Sequence, residues 1–290
     1  MPPSVQHRSP FAYRFGSVQY DFGVRTHIMG ILNITPDSFS DGGMYQDVRS
    51  AVERGKKMES EGADFIDIGG ESTRPGSDPL PLEEELHRII PVIEALSSEV
   101  MIPISIDTYK SKVAEAGLKA GGVMVNDISG LTADPRMLNV VKDSAASVVI
   151  MHMKGTPRSM QKDPRYDNVV REVFDFLKQQ SQIASENGIR QIFVDPGIGF
   201  GKTVEHNFEL IRELESFGRL GHPILVGPSR KSFIGSVLGT PVDNRLEGTA
   251  ATVTASILRG ASVVRVHDVL QMKRVAQIAD LMKRNVGETS

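Results

Sequence analysis

Three polar side chains stand where a short apolar run gives out: Asp107 after PISI (103–106), Asn126 after VMV (123–125) and Asp195 after QIFV (191–194). Carboxylates accept hydrogen bonds, and a carboxamide both donates and accepts. Such a set can read the edge of a flat, nitrogen-rich heterocycle that carries an amino group and a lactam. Lys231, in SRKS (229–232), adds a donor for a ring nitrogen or carbonyl. A second set suits an anion: Arg74 follows DFIDI (64–68), and Arg265 and His267 fall at the end of SVVRV (262–266). Asn33, just after HIMGIL (27–32), offers an amide oxygen to a hard cation. Mg2+ is such a cation; it keeps few protein ligands and fills its shell from phosphates and water. Asn33 also opens an N-x-T-P turn sequence, and Asn126-Asp127 reads equally well as an Asx turn or helix cap.

Other chemistries are disfavoured or excluded. The chain has no cysteine, so disulfides, thiolate zinc sites, iron–sulfur clusters and cysteine nucleophiles are out. PGIGFGKT (196–203) resembles a phosphate loop, but that pattern needs glycine where Pro196 stands. The dinucleotide fingerprint fails too, since its last glycine would fall on Lys202 or Val204. Seven scattered histidines make no zinc pattern, and His152 in MHM (151–153) reads as structural or as pocket lining. Met151 and Met153 alternate as in a strand, so one of them can floor a pocket. Ser229 and Ser232 flank Lys231 without a base and orienter for a serine nucleophile.

The elements that must position these residues recur as one unit. Eight short Val/Ile-rich runs, at 27–32, 64–68, 103–106, 123–125, 147–151, 191–194, 223–226 and 262–266, are apolar without alternation. That suits parallel strands covered on both faces. Helical segments are expected at about 47–61, 82–98, 109–120, 134–143, 166–187, 204–217, 244–259 and 268–284. In the second, Leu82, Leu86, Ile89, Ile90, Ile93 and Leu96 form an apolar stripe of helical period. Eight strand–helix units in 290 residues predict an α/β fold of the (β/α)8 TIM barrel type, one domain over 26–286. An open doubly wound sheet is the rival, but eight is the count that a closed barrel wants. Residues 1–17 read as a loosely held arm and 18–26 as a short hairpin, together an N-terminal piece over 1–25.

A barrel carries its catalytic groups at the C-terminal ends of its strands. Those ends here supply Asn33, Glu71, Thr73, Arg74, Asp107, Asn126, Asp127, His152, Asp195, Ser229, Arg230, Lys231, Ser232, Arg265, His267 and Asp268. All eight strands thus converge on one mouth. The loop after the last strand is a frequent phosphate site. Lys plus Arg number 33 against 36 Asp plus Glu, a net charge of −3, which disfavours a nucleic-acid binder. No 18-residue apolar window and no secretory apolar core are present, so a soluble, cytoplasmic protein without membrane contact is expected.

With these residues placed, the sequence resembles the dihydropteroate synthase family of folate biosynthesis, from about residue 28 to 283. The resemblance rests on MGILNITPDSFSDGG (29–43), GGESTRPGS (69–77), SIDT (105–108), VNDISG (125–130), MHMKGTP (151–157), VDPGIGFGK (194–202), SRKSFIG (229–235), RLEGTAAT (245–252) and GASVVRVHD (260–268). The first and sixth are the most specific, and Pro228 departs from the family's usual pattern. The resemblance implies a pterin-binding (β/α)8 barrel that joins p-aminobenzoate to (7,8-dihydropterin-6-yl)methyl diphosphate. Asp107, Asn126, Asp195 and Lys231 would hold the pterin and Asn33 would ligate Mg2+. Arg265, His267, Thr73 and Arg74 would hold diphosphate, and Phe39, Pro75, Phe200, Lys231 and Ser232 would line the p-aminobenzoate slot. Met151 and Val266 join the substrate contacts, and Asp107, Lys231 and Arg265 would carry the catalysis.

A neutral aniline nucleophile needs no strong base, so a dissociative, SN1-like displacement without a covalent enzyme intermediate is expected. The family also implies a sulfonamide target and a homodimer joined through late barrel helices; the small face Ala250, Ala251, Ala255 suits that contact or packing on the barrel. Two alternatives stand beside this reading: a pterin-dependent methyltransferase domain, and a non-catalytic pterin-binding paralogue. The loops 33–46 and 70–81 are expected to close over bound diphosphate, so that pterin diphosphate binds before p-aminobenzoate.

Overall fold

The computed structural model describes residues 11–34 and 44–283. Eight of its strands form one parallel sheet: β3 (His27–Asn33), β4 (Phe65–Gly69), β5 (Ile104–Asp107), β6 (Met124–Asp127), β7 (Ser147–Met151), β8 (Ile192–Asp195), β9 (Leu225–Val226) and β10 (Val263–Val266). The hydrogen-bonded order is β8-β7-β6-β5-β4-β3-β10-β9. A parallel bridge from Val194 to Ile224 brings β8 beside β9 and rounds the sheet into a barrel. Around it lie α1 (Met44–Ser60), α2 (Leu82–Ser97), α3 (Ser111–Lys119), α4 (Met137–Asp143), α5 (Val169–Glu186), α6 (Val204–Arg212), α7 (Ser232–Leu238), α8 (Leu246–Leu258) and α9 (Val269–Lys283). The fold is the (β/α)8 TIM barrel that the eight apolar runs predict. Among the described residues no helix is long and apolar enough to cross a membrane.

Strand parity explains both the continuous apolar runs and the site. Side chains alternate between the two faces of a strand. Outward-facing Ile28, Ile66, Ile68, Ile104, Ile106, Val125, Val148, Ile150, Val194 and Val264 pack against the helices. Inward-facing Met29, Phe65, Met124, Val149, Phe193, Leu225 and Val263 fill the lower barrel as a separate cluster. One rung higher, the same inner face carries Asp67, Asp107, Asn126, Asp195 and Arg265. The barrel is therefore apolar below and polar above, and β4, β6, β8 and β10 change character within two residues on the inner face.

The bottom of the barrel is closed by β1 (Ala12–Phe15) and β2 (Val18–Asp21), an antiparallel hairpin. This corrects the expected position, since the hairpin begins at 12 rather than near 18, and residues 12–15 are not a loose arm. The reason is aromatic burial. Phe22 is fully buried and meets Phe193 edge-on with centroids 4.9 Å apart, while Phe15 meets Phe65 at 5.2 Å. Tyr13 Oη donates to the Ile192 carbonyl at 2.9 Å. Offset and edge-on aromatic pairs of this kind add to plain area burial.

Two helical boundaries also differ from expectation. The segment 204–217 is not one helix: α6 ends at Arg212 and a 3-10 turn spans Leu214–Leu220, burying Leu214 and Phe217 at a spacing of three. The short α7 escapes a sequence reading because Gly235 weakens its helical signal. That glycine leaves room for the Arg245 guanidinium, which would have to shift if a Cβ stood there, since the two would lie 2.3 Å apart.

Candidate active site

The centre of the mouth is an Asp67–Arg265–Asp107 clamp. Arg265 Nε donates to Asp67 Oδ2 at 2.5 Å and its Nη2 donates to Asp107 Oδ2 at 2.7 Å. Asn126 Nδ2 donates to the same Asp67 oxygen at 2.9 Å. One guanidinium from β10 thus joins carboxylates of β4 and β5 inside the barrel. Asp67 is fully buried, and both Asp67 Oδ1 and Asp107 Oδ1 are buried with no hydrogen-bond partner among the described residues. A buried acceptor left unpaired costs about 1–3 kcal/mol. Two such oxygens beside the Asn126 amide form a set that a ligand bearing adjacent N–H groups would complete.

Asp67 was missed in the sequence because it lies inside DFIDI, a run that reads as strand. Parity was the available signal: Asp67 shares its face with Phe65 and Gly69, and a carboxylate on an inner face needs a partner. Burial, opposed by Arg265 and reinforced by Asp67, pushes the Asp107 carboxyl up to about 7. Burial also raises Asp195, against the pull of Lys231, and Asp195 Oδ1 accepts from the Gly197 amide at 2.7 Å. Lys231 is lowered to about 8 by burial, with Asp195 opposing the shift.

The glycine-rich stretch after β8 is a shaped wall. Gly197 has φ +69° and a Cβ there would meet the His152 carbonyl oxygen at 1.9 Å. Gly199, at φ +85°, would meet the Lys231 stem at 2.7 Å. Only glycine fits either place. The wall holds Lys231 Nζ against the Ile198 carbonyl and 4.5 Å from the Phe200 ring centroid. Lys202, the residue that made this stretch resemble a phosphate loop, turns inward. Its Nζ donates to the Phe200 carbonyl at 2.9 Å and lies 3.1 Å from His152 Nδ1. His152 is buried there as lining, and burial holds its pKa well below the usual range.

Arg265 therefore serves the carboxylates first, which narrows the expected role of an anion donor. His267 sits beside it at the top of β10, with Nδ1 3.0 Å from Ser229 Oγ. Burial, with Arg265, Arg230 and Arg74 adding to it, lowers His267 to about 3, so the ring is neutral near pH 7. Arg74 reaches this histidine electrostatically although its side chain is exposed. Arg230 is held by Asp268, with contacts of 3.0 and 2.5 Å. Thr73 is half-buried, and Pro75 is exposed on a turn in which the Ser77 amide donates to the Arg74 carbonyl at 3.1 Å.

The remaining expected residues divide. Met151 is buried on the inner face of β7 above Val149, as a pocket floor requires. Ser232 is exposed at the start of α7 beside Lys231. The Val266 side chain points outward into the barrel–helix core, so only its backbone faces the mouth. Glu71 and Asp127 stay away from the mouth as well. Glu71 accepts from Tyr109 and Lys110, and Asp127 accepts from the Ser129 amide and hydroxyl in an Asx turn. Phe39 and loop residues 35–43 lie outside the described residues.

Asn33 ends β3 on the inner face, half-buried, and its amide has no hydrogen-bond partner among the described residues. No group of three His, Asp or Glu that could hold a metal occurs among the described residues. A single amide oxygen fits a cation that takes its other ligands from a phosphate and water.

A buried carboxylate–amide edge under a rim of Arg74, His267 and Arg230, at the C-terminal mouth of a (β/α)8 barrel, has the character of a small-molecule enzyme site. A family model described as pterin binding enzyme matches residues 29–267, and the chain belongs to that family. The dihydropteroate synthase of Synechocystis is 48% identical over 272 residues, covering 93% of this chain and 94% of that protein. A crystal structure of the Clostridium difficile dihydropteroate synthase in the presence of pteroic acid superposes with a TM-score of 0.86 at 47% identity, covering 92% of this chain and 100% of that one. The Xanthomonas albilineans dihydropteroate synthase with 4-aminobenzoic acid gives 0.86 at 41% identity, covering 92% and 96%. Within the family the chain falls among the dihydropteroate synthases, which makes it a transferase.

Proposed function

We propose that this enzyme condenses (7,8-dihydropterin-6-yl)methyl diphosphate with p-aminobenzoate, assisted by Mg2+, through an SN1-like displacement. The observation that carries the reading is the pair of unpaired buried oxygens, Asp67 Oδ1 and Asp107 Oδ1, beside Asn126. The amino and ring N–H groups of a pterin supply the donors that this edge lacks, and Asp195 and Lys231 take its far side. The relatives crystallised with pteroic acid and with 4-aminobenzoic acid support the two substrate halves.

The chemistry follows from charge. The C–O bond to the diphosphate breaks, the electron pair leaves with the diphosphate, and a cation spreads into the pterin. Asp67, Asp107 and Asp195 surround that cation with carboxylates. Arg74, His267 and the Ser229 hydroxyl gather the leaving anion, with Arg265 beneath them. Asn33 would hold Mg2+, which supplies positive charge to the diphosphate oxygens. The aniline nitrogen then forms the C–N bond, and its proton passes to the departing diphosphate or to water. A methyltransferase reading would leave the Arg74–His267 rim without a purpose, and a non-catalytic reading would leave the clamp charged for no reaction.

The same proposal includes a homodimer. Leu258 on α8 and Ile278, Leu281 and Met282 on α9 are exposed and apolar, which supports a contact through late helices. Ala251 is exposed there, whereas Ala250 and Ala255 pack on the barrel core. A cysteine-free chain needs no oxidising compartment, which supports a cytoplasmic setting.

Order of binding tests the proposal. The slot beside Phe200, Ser232 and Pro75 is completed when bound diphosphate engages the Thr73 and Arg74 side chains at the outer part of their loop. Calorimetry should show p-aminobenzoate binding only after a pterin, diphosphate and Mg2+ are present. Equal p-aminobenzoate affinity with and without them would overturn the ordered scheme.

A further inference from the structure

Below the loop 70–81, away from the pterin edge, sits a buried charge cluster with no part in the chemistry above. Lys110 Nζ donates to Glu71 Oε2 at 2.5 Å, to Glu85 Oε2 at 2.5 Å and to the Leu80 carbonyl at 2.6 Å. An ammonium has three protons, and all three are placed. The Glu71 and Glu85 side chains are 6% and 1% exposed, and Lys110 is 18% exposed. Tyr109 Oη donates to Glu71 at 2.7 Å, and Thr108 Oγ1 donates to Glu85 at 2.8 Å.

The geometry assigns Lys110 a positioning role: it bolts both ends of the 70–81 loop to the strand end that carries Asp107. Glu71 is the second residue past the end of β4 at Gly69, and Leu80 is the last before Pro81 and α2. Between them the chain carries Thr73, Arg74 and Pro75 outward, and the Gly76 amide docks on the Pro157 carbonyl at 3.0 Å. Lys110, Tyr109 and Thr108 follow Asp107 directly in the chain. The β4–β5 pairing and the Arg88 bond to the Gly70 carbonyl at 3.0 Å fix where the loop leaves the sheet, and Lys110 adds the one side chain that ties both loop ends to the Asp107 strand end. The surrounding charged groups are Glu71 and Glu85, with Tyr109 packed 5.3 Å below the ammonium.

This inference deepens the proposed function and rests on it for its ligands, so its test has an arm that does not. Two variants are compared with the wild type: Lys110→Met removes the bolt, and Glu71→Gln loosens one end while leaving the Lys110–Glu85 pair. In both, the Gly76 and Ser77 amides should exchange faster with deuterium while the β5 and β6 amides keep their protection. In turnover, KM for the pterin diphosphate and the inhibition constant of diphosphate should rise on the order of tenfold, because a loop misplaced by about 1 Å loses its anion contacts. Affinity for a pterin without diphosphate should stay at the wild-type value, and Lys110→Arg should restore part of the loss. Unchanged Gly76 and Ser77 exchange in both variants would overturn the bolt. Equal weakening of free pterin and pterin diphosphate would overturn its selectivity for the loop. If wild-type protein itself binds no diphosphate, the functional reading fails while the exchange arm still decides the bolt.

Discussion

Asp67 is the residue on which the site turns. It joins β4 to β10 through Arg265 and to β6 through Asn126, and keeps one oxygen free for a ligand. Asp67→Asn would remove the ionised partner of Arg265 and weaken the transition-state contacts. A fall in kcat/KM equivalent to about 2–4 kcal/mol is expected, read from steady-state kinetics of the folded variant. Its neighbour Asp107 sets a pH dependence. In the folded protein its carboxyl holds a proton up to about 7. An unfolded aspartate releases its proton near 3.9. Asp107 therefore contributes stability that is present below about pH 4 and lost as pH rises through about 7. Pterin binding runs the other way, since pterin N–H donors need the ionised form. Affinity should strengthen about tenfold from about pH 6 to about pH 8 in fluorescence titrations, and this rise should vanish in Asp107→Asn. The polar residues at strand ends were legible in the sequence because each follows an apolar run. Asp67 was not, because it lies one residue pair deeper, where only the strand's parity shows which face it takes.

The hairpin β1–β2 seals the apolar lower end of the barrel. Phe22 reaches from the chain after the hairpin into the floor, against Phe193 and His27. Phe22→Ala should cost about 3–5 kcal/mol of stability by denaturant titration. Turnover per folded molecule should stay near that of the wild type, since the floor lies on the far side of the inner core from Asp67. The barrel strands could be read from composition, because both faces of each strand are covered and so both are apolar. The hairpin could not be placed as well. Its strands are four residues each and partly exposed, and their aromatic partners are Phe65 and Phe193, far away in the chain. The 3-10 turn at Leu214–Leu220 is likewise set by where Leu214 and Phe217 find space in the core rather than by local propensity.

At the scale of the whole molecule, the barrel separates stability from reaction. Apolar side chains fill its lower half and its outer jacket, and the charges gather at one end. There three carboxylates face one guanidinium and one lysine whose pKa burial lowers to about 8. This arrangement suits a reaction that develops positive charge on a ring and negative charge on a departing group. The most direct test is to follow diphosphate release with the pterin diphosphate, Mg2+ and p-aminobenzoate together, and with p-aminobenzoate left out. Diphosphate release should depend on p-aminobenzoate, match 7,8-dihydropteroate mole for mole, and be lost in Asp67→Asn. Absence of 7,8-dihydropteroate with folded wild-type protein and all three components, or undiminished formation in folded Asp67→Asn, would contradict the proposed reaction.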